Sequence, residues 1–403
     1  MAQTQIFEYK LVVAASSKEV YRAFTSAMVM KEWMCDEAQV DARLNGRLYL
    51  AWNSGYYMLG QYILLKPGKS IVFAWHGRDE PSATTVRINL VERNGKTTLR
   101  LAHRDIGRGK SWQKAIEEFR NGWRVLLENL QSVIETGIDL RVARRPMLGI
   151  HFGEPLNSET SAKLGVPVHA GIRLDGIVEG LGAHAAGLQK NDVLVSFSGK
   201  KISTIQALLL QLQQRRAGDT VKIVYYRGAT KQSVAMELSP RSMPEIPSTP
   251  IALSDRVKDL YAADEAELRR GLSGVSYAEA AARPASGEWC VNEVIAHLIC
   301  AERDTIAWIG GLLNDVDMET ASGNLPARVS AVYEVYRDHD ALLDQIEHCQ
   351  QELVSLLSAL PDTFCAHKGT YWHLIYTVLN YSTHTREHLS QIESALLAVR
   401  RQI

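Results

Sequence analysis

The spacing of apolar residues changes character twice along the chain. Residues 7–14 alternate and predict a strand, 16–27 predict a helix, and further alternating runs fall around 46–52, 56–65, 71–75, 84–91 and 97–103. A helix over 111–136 closes this stretch, with Ile116, Phe119, Trp123, Leu127, Leu130 and Ile134 on one stripe. The pattern predicts a curved antiparallel sheet gripping one long helix.

From residue 146 short strands and glycine turns take over. Gly187-Leu188 closes a turn after the small residues Ala183, Ala185 and Ala186, Asp192 precedes a buried strand over 193–197, and Ser198-Gly199 makes the next turn. A helix over 205–215 and a final strand over 221–227 follow. Pro240, Pro244, Pro247 and Pro250 then interrupt any helix or ladder and leave an extended tether. Beyond it the pattern is almost wholly helical. Val257, Leu260, Tyr261, Leu268 and Leu272 mark one amphipathic helix capped by Ser254; a second covers 292–313, a third 326–360 and a fourth 371–397. The fold class predicted is α+β and multi-domain: a sheet gripping a helix over 1–141, a β-sandwich or barrel with helices over 145–240, a Pro-rich linker over 241–252, and an all-α four-helix bundle over 253–403.

Composition narrows the function classes. A chain of 403 residues has room for several cores, and a formal net charge of zero removes the electrostatic drive toward nucleic acid or anionic membranes, so neither partner is expected. Five scattered cysteines without a CxxC pair suit unpaired thiols in a reducing cytosol. The opening MAQTQIFEYK has no basic, then apolar, character, so a cytoplasmic protein is expected.

Metal chemistry assembles in one place. His384 and His388 are one helical turn apart and project from one face, while His297, on the inward stripe of the second bundle helix with Val294, Leu298, Ala301 and Trp308, offers a third imidazole. Three imidazoles leave coordination positions open, as in a reactive site, and with water suit a divalent metal, zinc, nickel or iron alike. His373 lies eleven residues before His384, about 16 Å along the axis, too far to share the ion. Glu293, Glu302, Asp304 and Glu387 are read as solvent-facing helix charges, so no catalytic residue is assigned.

Three resemblances sharpen this picture. "VYRAFT", "KEWM" and "GWRVLLENLQSVIETG" resemble the helix-grip family related to the activator of the Hsp90 ATPase. That likeness implies a cup for a hydrophobic small molecule between sheet and helix, with Trp33, Trp52, Trp75, Trp112 and Trp123 as its lining or, as is commoner for aromatics at these spacings, as core. "GIVEGLGAHAAGLQKNDVLVSFSGKKI" resembles a PDZ domain of the bacterial type, which implies a peptide or protein C-terminus as partner, its carboxylate held by the loop Leu148, Gly149 and Ile150. Arg144 and Arg145 stand beside that loop in sequence, where they would support the charge or belong to a solvated linker. No GxSxG motif accompanies the module. "RPASGEWCVNEVIAHL" and "NYSTHTREHLSQI" resemble the DinB-like, damage-inducible bundles, which implies metal ligands His297, His384 and His388, a supporting Gln391 and a stress-response setting. The expected function is a multi-domain binding or adaptor protein; the alternative is a metal-dependent thiol transferase or hydrolase with accessory recognition domains.

Overall fold

The computed structural model describes residues 4–153, 156–213, 215–316 and 325–402, apart from the side chains of 381–383 and 387. The first 140 residues fold as predicted in kind. Strands β1 (Gln5–Val13), β2 (Glu37–Val40), β3 (Arg47–Ala51), β4 (Tyr57–Lys66), β5 (Ser70–Gly77), β6 (Thr84–Arg93) and β7 (Lys96–Ile106) form an antiparallel sheet in the order β1-β7-β6-β5-β4-β3-β2. Helices α1 (Ser17–Arg22) and α2 (Ala27–Trp33) follow β1, and α3 (Gln113–Thr136) closes the layer. The α3 stripe buries Phe119, Trp123, Leu127, Leu130 and Ile134 against Leu99, Ile88 and Phe73 of the sheet.

Two details depart from the sequence reading. The helix expected over 16–27 is broken, because Ser26 leaves helical geometry and its hydroxyl caps a new helix through Val29 N at 3.4 Å. The short β2, with Ala38 as its buried residue, carries too little apolar pattern to be read.

The middle region is a second sheet, β8 (Ile150–Phe152), β9 (Ile172–Ile177), β10 (Val193–Phe197), β11 (Lys200–Lys201), β12 (Thr220–Arg227) and β13 (Thr230–Glu237), in the order β13-β12-β10-β9-β8 with β11 beside β10. Helices α4 (Leu140–Ala143), α5 (Ser158–Leu164), α6 (Gly182–Ala185) and α7 (Ile205–Leu212) complete it. The predicted last strand has a partner the sequence reading lacks: β13 pairs with β12 from Thr230 to Glu237, yet buries little besides Met236 and therefore shows no strong alternation. The α7 helix ends at Leu212, short of the expected 215, and Gln214 lies outside the described residues.

A buried ion pair pins this sheet. Asp192, 1% exposed, accepts from Arg227 Nε and Nη2, each at 2.8 Å, and from Gln189 N at 2.8 Å, while Arg227 also reaches Gly187 O. Replacing Asp192 by alanine leaves a guanidinium and a turn amide without their acceptor. The expected cost is about 2 kcal/mol, read as a lower urea midpoint of the middle unit.

The last region contains α8 (Pro250–Leu272), α9 (Tyr277–Ala281), α10 (Val291–Leu313), α11 (Pro326–Val335), α12 (His339–Ser358), α13 (Asp362–Cys365) and α14 (Lys368–Arg400). The long α8, α10, α12 and α14 make the bundle. The third predicted helix is two: the chain turns at Tyr336, and Asp338 caps α12 by accepting from Ala341 N at 2.8 Å. Among the described residues no helix is long and apolar enough to cross a membrane.

The sheet unit and the bundle share a polar, buried contact. Thr370 Oγ1 on α14 donates to Glu32 Oε1 on α2 at 2.6 Å, and Glu32 is 6% exposed. A Cβ at Gly369 would stand 2.6 Å from Glu32 Oε2, so glycine is what permits this approach. Lys368 Nζ donates to Glu135 O at 2.7 Å, Arg22 pairs with Asp315, and Met28 packs with the bundle's own core.

Candidate functional site

Ten consecutive residues of α10, Val291 to Cys300, are buried, which makes it the central helix of the bundle. Glu293 starts it, accepting from Cys290 N at 2.9 Å and pairing with Arg283; this carboxylate is a buried cap and not the solvent-facing charge expected. His297 follows one turn on, 5% exposed, with Trp289 against one face at a ring separation of 5.2 Å.

Opposite it, α14 carries His384 and His388 on one face. His384 Nε2 lies 3.3 Å from His297 Nε2 and 3.0 Å from His388 Nε2, and the three rings offer ligand atoms within 4.8 Å of one another. Two nitrogens sharing an ion at about 2.0–2.1 Å would be roughly 3.3 Å apart on a tetrahedron and about 2.9 Å on an octahedron. The donor set therefore fits a divalent cation. His388 Nδ1 donates to Gln391 Oε1 at 2.7 Å, which fixes the tautomer with the Nε2 lone pair free for a ligand bond. Burial, then the adjacent His388 and His297, lower the His384 pKa to about 4, so its ring is neutral at physiological pH.

Other polar groups in the bundle separate cleanly. Glu302 is 1% exposed, which corrects the surface reading: Tyr261 OH donates to its Oε2 at 2.9 Å and Gln350 Nε2 to its Oε1 at 3.4 Å. Burial pushes its pKa up to about 7. Asp304 behaves as expected of a helix-surface charge, paired with Arg328 at 2.7 and 2.9 Å. The side chain of Glu387 lies outside the described residues. His373 is remote from the three imidazoles and donates instead to Glu32 O at 3.3 Å.

In the sheet unit, a cleft of about 340 Å³ is lined by Trp52, Trp75, Phe119, Trp123 and Tyr56, with Glu118 as its acid. Trp33 is elsewhere: it is fully buried, edge-on to Phe24 at 5.1 Å, with its indole donating to Ala23 O at 2.9 Å. The cleft floor is held rigidly. His103 accepts from Trp123 Nε1 at 3.0 Å and donates to Thr84 Oγ1 at 2.7 Å, while burial depresses its pKa to about 3. Trp112 is likewise core, 7% exposed.

In the middle unit, Leu148 is buried in the core, Ala183 N donates to its carbonyl at 2.9 Å, and Val178 N donates to Gly149 O at 2.9 Å. Gly149 has φ +77°, and a Cβ there would meet Leu181 Cβ at 2.4 Å, so the turn admits glycine alone. Ile150 opens β8, the last strand of the sheet order. Phe152 on that strand and Ile205 and Leu209 on α7 are exposed apolar side chains. Arg144 pairs with Glu128 of α3 at 2.6 Å, and with Arg145 it lines a cleft between the sheet unit and the middle unit.

Three family models match successive stretches of the chain: Activator of Hsp90 ATPase homolog 1-like protein at residues 14–135, PDZ domain at 137–238, and DinB superfamily at 260–392. The matches follow one another along the chain, a three-domain mosaic resembling these families in that order. It is similar to the periplasmic serine endoprotease DegP of Escherichia coli K12, 28% identical over 126 residues, which are 31% of this chain and 26% of that protein. A probable periplasmic serine endoprotease, DegP-like, of Bartonella henselae is 27% identical over 116 residues, 29% of this chain and 22% of that protein. The chain thus spans about a quarter of the length of the curated relatives it matches. Among solved structures, an HSP90 activator from Plasmodium falciparum is 25% identical, covering 32% of this chain and 94% of that one, with a TM-score of 0.29. The Aha1 dimer from Colwellia psychrerythraea is 18% identical, with 32% and 96% covered and a TM-score of 0.29.

Proposed function

We propose that this is a three-unit recognition protein, divided at residues 1–141, 145–240 and 253–403, whose carboxy-terminal bundle holds one divalent ion, zinc or nickel, on His297, His384 and His388. The observation that carries the reading is the approach of three imidazoles from two helices, with His388 oriented by Gln391. A bound ion would supply activation of a coordinated water or thiol there. The middle unit takes a peptide C-terminus on the β8 edge, with Leu148, Gly149 and Ile150 as the carboxylate loop, and the aromatic cleft takes an apolar small molecule. Linking the units in one chain raises their mutual effective concentration. The scattered cysteines support a reducing, cytoplasmic setting.

The peptide assignment has a direct test. Peptides selected from a C-terminal library are expected to lose about tenfold or more in affinity when the terminal carboxylate is amidated, since a charge-assisted contact to backbone amides is lost. Indifference to amidation rejects the carboxylate loop.

A second reading, a metal-dependent thiol transferase or hydrolase, is favoured by Glu302, a carboxyl of α10 buried in the same bundle, where burial pushes its pKa up to about 7. Turnover of a thiol and electrophile panel by metal-loaded protein, absent in His384→Ala, would select it.

A further inference from the structure

The cleft between the sheet unit and the middle unit has a volume of about 290 Å³ and an unusual lining. Arg141, Arg144 and Arg145 enter it from the α4 segment, and Arg215 and Arg216 from the loop after α7, against a single lining acid, Asp36. Arg141 is committed, because it is bound to Asp139 and to the carbonyls of Cys35 and Lys31. Arg144 is shared with Glu128, whose carboxyl is held below its ordinary pKa chiefly by that bond and more weakly by Arg216. Asp36 Oδ2 already accepts from Asn53 N at 2.7 Å. Among the described residues Arg145, Arg215 and Arg216 enter no ion pair. Two chain segments 70 residues apart therefore bring guanidinium groups to one concavity without acids to match them. Such a site favours an oxyanion, carboxylate or phosphate, that accepts forked hydrogen bonds.

The same cleft adjoins the aromatic one. Trp52, Ser54 and Val125 line both, so apolar walls run from Trp75, Phe119 and Trp123 to the arginines. Glu118 is the acid of the aromatic side, which disfavours an anionic head there and favours it at the seam.

We propose that the seam between the sheet unit and the middle unit binds the anionic head of an amphipathic acid, on Arg145, Arg215 and Arg216, while its apolar body occupies the aromatic cleft. This rests on the reading of that cleft as an apolar ligand site, and it adds the ligand's charge and the participation of the middle unit. Such a ligand bridges the two units, so its binding orders one against the other.

Calorimetric titration of the full chain with octanoate, octyl phosphate and octanol tests the idea. The two anions are expected to bind at least about tenfold tighter than octanol, and their ratio tells a carboxylate from a phosphate head. In the double variant Arg215→Ala, Arg216→Ala that advantage is expected to vanish, with octanol affinity unchanged as the sign of an intact fold. Arg145→Ala should reduce it on its own, and raised salt should weaken the anions only. Octanol binding as tightly as the anions, or arginine variants that keep the full preference, would overturn the seam site and leave the apolar cleft standing. Failure of all three probes would overturn both.

Discussion

Protein carrying His384→Ala is expected to lose its divalent metal, falling from about one equivalent to a trace after dialysis, with affinity reduced by more than about 100-fold. His384 is the member nearest to both others, at 3.3 Å from His297 and 3.0 Å from His388. Its removal leaves one imidazole on each of two helices, and such a pair holds an ion far less firmly than three converging donors do. Elemental analysis of zinc- and nickel-loaded protein, with thermal unfolding with and without metal, gives the reading. The wild type should gain stability with the logarithm of free metal above the dissociation constant, and the variant should not over the same range. Equal metal content in the two proteins would remove the three-histidine centre.

Glu32→Gln is expected to change how stability depends on pH. Burial holds the Glu32 carboxyl up at about 8 against an ordinary value of 4.5, with the Thr370 hydrogen bond opposing in part. A carboxyl whose folded pKa lies above its unfolded one binds more protons when native across that window. Stability therefore falls as pH rises from about 4.5 to about 8, by on the order of 5 kcal/mol if the full difference is expressed. The glutamine side chain has no charge to bury and keeps an oxygen for Thr370. Urea midpoints at pH 5 and pH 8.5 should lie closer together in the variant than in the wild type. Glu302 tilts both proteins the same way, so the difference between them isolates Glu32. A wild-type midpoint equal at the two pH values would sink the prediction.

What the sequence revealed depends on the range of the forces involved. His384 and His388 lie on one turn of one helix, and His297 stands on a helix too apolar to face water, so their convergence could be read from periodicity and bundle packing. Glu302 could not. Its neighbours on α10 mark a helix that is buried all round, which was the available warning, but its partners Tyr261 and Gln350 come from two other helices 41 and 48 residues away. The tryptophans divide in the same manner. Sequence predicts that all are largely buried, yet only packing decides that Trp75 and Trp123 edge a cleft while Trp33 is sealed beneath Phe24. Glu32, inside "KEWM", finds its partner Thr370 on α14, 338 residues away, and Arg215 and Arg216 share a cleft with the α4 segment only in the folded chain.

The helix α14 is one unbroken rod of 33 residues, about 50 Å long. Its first turns grip the sheet unit through Thr370, and roughly 21 Å further along it presents His384. His297 rides on a different helix, so a tilt of the rod at its gripped end opens or closes the gap between imidazoles at the other. An ion held on the three imidazoles would then be linked to the seating of the sheet unit, and by thermodynamic reciprocity each would change the equilibrium of the other by the same free energy.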